Sequence, residues 1–179
     1  MKQPKPLRGA LIGALAGVVG AYAKSLAEPP LQKITEAWFP PTPAEKRMVG
    51  ADPSGRIEHM PPAEMIQAAA DAAHHPISKQ DKLRDQQLIH YGLGAGTAAV
   101  YGALAEYYPG VTRGEGVPAG AVLYSLTHAS AVPATGFQAW PWQLPIAAVL
   151  WEAMSHLVFG LSVEVTRQAL TALAERLDD

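Results

Sequence analysis

The chain has 179 residues, a net charge of −2 and no cysteine. That length suits one compact domain, and with a pI near 6.3 it lacks the strongly basic face that a nucleic-acid partner needs. The absence of cysteine excludes disulfides, thiolate metal sites and cysteine nucleophiles. Charged residues are 17% of the chain, against roughly 25% in soluble domains. Hydrophobic residues reach 49% while mean hydropathy is only +0.03, so the apolar content must be concentrated in segments.

The first apolar block is residues 9–23, bracketed by Arg8 and Lys24. A surface helix of a soluble protein shows a polar stripe at helical period, and GALIGALAGVVGAYA shows none. Lys2, Lys5 and Arg8 resemble the n-region of a signal peptide, but AKSLAEPP is a poor cleavage site, so the block reads as a retained span over 7-27. Gly9, Gly13 and Gly17 recur every fourth residue, a groove that lets another backbone approach closely where lipid supplies little hydrophobic drive. Lys24 and Glu28, one turn apart, close this span, and the lysine can snorkel to keep its ammonium wet.

Residues 28–86 then read as a polar, proline-rich extramembrane loop. Pro40, Pro41 and Pro43 forbid a continuous helix there, while residues 62–73 suit a short helix with proline in its first turn. His74 and His75 precede a proline in this loop and read as solvated. His59 and His90 have no diagnostic partner spacing.

The second block, residues 91–105, gives a span over 87-107. Gly92, Gly96 and Ala99 or Ala103 make a second small-residue ridge, expected to face the first span or a second subunit. GLGAG at 92–96 superficially resembles a dinucleotide loop but lacks the third glycine and a preceding strand. The third block, residues 116–134, contains His128. The fourth, residues 144–163, contains Glu152 and His156, one turn apart on one face. Spans over 116-134 and 143-165 follow, since about 20 mostly apolar residues cross a bilayer. The expected fold is therefore all-α, a polytopic membrane bundle of about four transmembrane helices.

Basic residues set the expected orientation. Lys2, Lys5 and Arg8 before the first span, Arg113 in the second loop, and Arg167 and Arg176 after the fourth fall on one side, which is cytoplasmic by the positive-inside rule. The chargeless third loop carries Trp140 and Trp142, which suit the opposite headgroup belt. Both termini are then cytoplasmic.

Ionisable groups in hydrocarbon are costly and turn inward. His128, Glu152, His156, Lys24 and Glu28 thus form either a structural network that holds helices in register or, through His128, Glu152 and His156, a proton or ion path. Two histidines and a carboxylate could also ligate a metal or haem, though no spacing forces them together. No phosphate-binding loop, G-x-S-x-G elbow or H-E-x-x-H occurs. The expectation is a non-enzymatic protein with no cofactor and no metal. Its partners are the lipid bilayer and a second copy or a membrane complex, with no nucleic acid.

The run Lys24, Glu28, Pro29, Pro30 resembles the YagU-like bacterial inner-membrane proteins, a family of undefined biochemical function. So do THASAVP at residues 127–133 and WEAMSHLVFG at residues 151–160, with its Glu-x-x-x-His helix. Leu31 stands where the resemblance leads one to expect Arg. The resemblance implies an inner-membrane location and an association with acid stress, and it implies no established activity.

Overall fold

A computed structural model describes residues 3–178, and no strand occurs among them. Lys2, part of the expected basic cluster, lies outside the described residues. Helix α1 (Pro6–Trp38) is followed by 3-10 turns at Glu45–Arg47 and Ile57–His59, then by α2 (Pro61–Ala72) and α3 (Lys79–Tyr107). A 3-10 turn at Pro109–Thr112 leads into α4 (Val117–Leu126), which passes through a π turn at Thr127–Ala131 into α5 (Val132–Ala134). Helix α6 (Ile146–Asp178) ends the chain.

Helix α1 runs through Pro29 and Pro30 instead of yielding to a loop at residue 28, and stops at Trp38, ahead of the prolines at 40, 41 and 43. A proline inside a helix cannot donate to the carbonyl four residues earlier, so Pro29 and Pro30 leave the carbonyls of Ser25 and Leu26 without helical donors. The chain divides into two compact units, and the divide falls between these two residues.

The first unit contains the chain up to Ser25, Tyr91–Val122, and α6 from His156 onward. Small residues hold it together. A Cβ on Gly9, Gly13 or Gly17 would collide with the carbonyl oxygen of Gly102, Ala98 or Gly94, so only glycine lets α1 and α3 lie this close. A second close approach joins α4 to α6: Gly116 abuts the Gly160 carbonyl, and Gly120 that of His156. Gly92 and Gly96, expected to be the ridge of the second span, have open space where a Cβ would stand. The packing ridge of α3 is Gly94, Ala98 and Gly102. Two residues of offset turn the face by about 200° around the helix.

The second unit contains Leu26–His90 and Leu123–Ser155. Its core is Trp151, fully buried with Ala51 and Ala148, against which Leu31, Met48 and Met60 pack. The segment expected as an extramembrane loop therefore folds onto the start of α6. Helix α2 begins on Pro61 and Pro62 at its first positions, one residue before the expected start.

Helices α1 and α6 are long and apolar enough to cross a membrane by length and composition. The other two expected spans do not meet that measure. Glycine and tyrosine add little hydropathy to α3, whose first turns are polar, and the π turn interrupts the run through α4 and α5. Burial does not follow polarity: Ile12, Trp151, Phe159 and Val163 are buried, and so are several ionisable groups. Along α1, Leu7, Leu11, Leu15, Val18, Val19, Tyr22 and Leu26 are 44–74% exposed, while Ala16, Ala21, Lys24, Glu152, His156 and Glu164 are buried.

Candidate functional site

Pro133 has no N–H for the helix turn before it, and that turn is wound as π over Thr127–Ala131. Hydroxyls supply hydrogen bonds to its carbonyls: Thr127 Oγ1 donates to Leu123 O at 2.7 Å, and Ser130 Oγ to Ser125 O at 2.8 Å and Leu126 O at 2.9 Å. A π turn places its side chains differently from an α turn and recurs at functional sites. Here it carries His128.

Within the second unit, His128 Nδ1 lies 2.8 Å from Glu152 Oε1 on α6 and 3.0 Å from Gln138 Oε1. Both neighbours are acceptors, so Nδ1 bears the hydrogen. The Gln138 amide closes the triangle, with Nε2 donating to Glu152 Oε2 at 3.1 Å. Both carboxylate oxygens are therefore engaged, and Glu152 is only 3% exposed. A carboxylate that accepts from one imidazole nitrogen fixes the ring's orientation and tautomer. The triangle ties the π turn, the following loop and α6 into one register.

The structure thus brings His128 and Glu152 together. His156 follows Glu152 by one turn of α6 and is buried. Lys24 is buried and Glu28 half-buried, one turn apart on α1. Among the described residues no group of three or more His, Asp or Glu side chains is placed to hold a metal ion. His59 pairs with Glu64, Nδ1 to Oε1 at 2.7 Å, a local contact at the start of α2.

Three features escaped sequence reasoning. Gln138 sits in a loop that gave no spacing signal. In the first unit, Glu164 is fully buried and accepts from Arg167 Nε and a terminal Arg167 nitrogen at 2.7 Å each, from Tyr101 Oη at 2.9 Å and from Gln168 Nε2 at 2.9 Å. A signal for it existed: Glu152, His156, Gly160 and Glu164 recur every fourth residue, one face of α6, and all four are buried. Third, the end of α1 and residues 46–55 enclose an open groove of about 370 Å³ lined by charged side chains of both signs.

A family model described as a protein of unknown function (DUF1440) matches residues 31–165. The match is consistent with the resemblance to YagU-like proteins. Neither the curated proteins nor the solved structures contain a match.

Proposed function

The chain belongs to the DUF1440 family, whose function is unknown, and we propose that it is a multi-pass protein of the bacterial inner membrane with a structural, non-enzymatic role. The observation that carries this reading is the burial pattern: large apolar side chains such as Leu7, Leu11, Leu15, Leu93 and Val100 are exposed along the long helices, while the ionisable Lys24, Glu152, His156 and Glu164 are buried, as are Trp151, Phe159 and Val163. Water penalises such an exterior, and lipid does not.

The lengths suffice. At 1.5 Å per residue the exposed apolar residues of α1 from Leu7 to Leu26 extend about 28 Å, with Ile34 and Trp38 beyond them, and those of α6 run from Ile146 to Leu177, about 46 Å. A hydrocarbon core is about 30 Å thick. Four spans place Lys5, Arg8, Arg113, Arg167 and Arg176 on the cytoplasmic side, and the stacked Trp140 and Trp142 at the opposite headgroup level. In this reading the His128–Gln138–Glu152 triangle is a register lock, since every carboxylate oxygen already has a donor. The outward Gly92 and Gly96 offer α3 a small-residue face for a second copy. The contribution to acid survival that the YagU-like resemblance implies belongs to the same proposal.

The test is fractionation. The protein should stay in the membrane pellet through an alkaline carbonate wash and leave it only with detergent. Recovery in the supernatant of a detergent-free lysate would falsify the reading. A deletion strain challenged at low pH tests the stress role, with loss of survival expected.

A second reading, a proton or ion conductor, draws on the 2.8 Å His128–Glu152 contact in a π turn. It requires pH-dependent flux in proteoliposomes that Glu152→Gln abolishes. The structural reading expects no flux above empty vesicles.

A further inference from the structure

The groove at the end of α1 has a floor and two signs of charge. The floor is Gln32, 4% exposed. Its amide nitrogen donates to Glu36 Oε1 and Asp52 Oδ1, both at 2.8 Å, and its oxygen accepts from Ser54 Oγ at 2.6 Å. Glu36 uses its other oxygen for Lys46 Nζ at 2.7 Å. Asp52 Oδ1 also accepts from the Gly55 backbone at 3.0 Å, while among the described residues none donates to Oδ2. Lys33, exposed on α1, and Lys46 supply positive charge to the same lining.

Glu36 and Lys46 offset one another, which leaves Asp52 and Lys33 as one charge of each sign in the lining. A ligand with an anionic group beside a cationic one satisfies both. The cation must be a hydrogen-bond donor to use Asp52 Oδ2, and quaternary ammonium groups, which are recognised by aromatic faces, find no aromatic ring in this lining. That chemistry is a phosphate beside a primary ammonium.

Position along α1 selects the source. The groove begins at Pro29, three residues or about 5 Å of helix beyond Leu26 and just past the span expected over 7-27, with exposed Ile34 and Trp38 following on the same helix. The headgroup layer beside a hydrocarbon core is about 5–8 Å thick. We propose that this groove binds the headgroup of phosphatidylethanolamine, with its ammonium on Asp52 and its phosphate beside Lys33 and Lys46. This inference rests on the membrane reading above.

The test uses the full chain, purified and delipidated in detergent. Thermal unfolding is followed with added phosphatidylethanolamine, phosphatidylcholine, phosphatidylglycerol or free phosphoethanolamine. Phosphatidylethanolamine should raise the melting temperature more than the other three. Asp52→Asn should weaken its binding about tenfold, the loss of one charge-assisted hydrogen bond. Lys33→Gln, at an exposed position that does not threaten folding, should weaken it in the same sense. Equal shifts from all three lipids, or an unchanged response in both variants, would overturn the site. An equal shift from free phosphoethanolamine would overturn the lipid as its source. Flotation of the same protein with liposomes keeps the two readings apart. Failure to float overturns the membrane reading itself, whereas flotation without a headgroup preference overturns this site alone.

Discussion

His128 and Glu152 meet at 2.8 Å, the imidazole from a π turn and the carboxylate from the second turn of α6. Because both Glu152 oxygens are engaged and the side chain is buried, removing it leaves the His128 and Gln138 hydrogen bonds unmade. Glu152→Ala should cost about 3 kcal/mol, the usual loss when one partner of a buried pair is deleted. Glu152→Gln, which keeps an acceptor for Nδ1, should cost about 1 kcal/mol. Thermal melting in detergent measures both, and equal melting of the two variants with wild type would show that the triangle locks nothing.

The glycine faces separate packing from exposure. Gly13 lies against the Ala98 carbonyl, which has no flexible end to swing away. Gly13→Leu should therefore force α1 from α3 and cost about 3 kcal/mol, at the upper end of overpacking penalties. Gly92→Leu enters open space and should leave the fold within about 0.5 kcal/mol of wild type. If the bilayer reading holds with a second copy on this face, crosslinking should report fewer dimers for Gly92→Leu while its melting is unchanged.

The same pair explains what could be read from the sequence. The apolar block at residues 9–23 lies in α1, and that at 144–163 lies in α6 from Ile146 onward, because all-round apolarity over a long run is a strong helical signal. The contact face within such a run is another matter. A segment such as YGLGAGTAAVYGALA has no polar stripe, so the 3.6-residue period does not say which glycines turn inward, and Gly92 with Gly96 fits a ridge as well as the Gly94 and Gly102 that meet α1. Pro29 and Pro30 read locally as the start of a loop, yet the helix continues because neighbouring structure outweighs two lost hydrogen bonds. The His128–Glu152 juxtaposition could only be suspected from cost arguments. Gln138, supplied by a loop, carried no pattern at all.

Glu164 organises the first unit as Glu152 does the second. It accepts hydrogen bonds from Arg167, Tyr101 and Gln168, and the Arg167 side chain is 15% exposed. Glu164→Ala should leave a largely buried guanidinium without its carboxylate and cost about 3–5 kcal/mol. Arg167→Lys keeps the charge but loses the planar fork that makes the two 2.7 Å contacts, so it should also destabilise. A reading of no change for Arg167→Lys would mean that charge alone suffices there.

Lys46 gives a pH dependence outside the apolar spans. Its hydrogen bond to Glu36 raises its pKa above the usual 10.5, and the nearby Asp52 charge adds to the rise, while partial burial opposes it. A lysine whose folded pKa is raised contributes stability that is fully present below 10.5, the unfolded value, and fades as pH climbs through the higher folded value. The ammonium is partly exposed, so screening keeps the contribution small. Melting of the wild type should therefore decline more steeply above that pH than melting of Lys46→Met, which has no proton to lose at this position. Parallel alkaline declines for the two proteins would mean that the Glu36–Lys46 contact does not persist in solution, and the charge arrangement of the groove would then have to be redrawn.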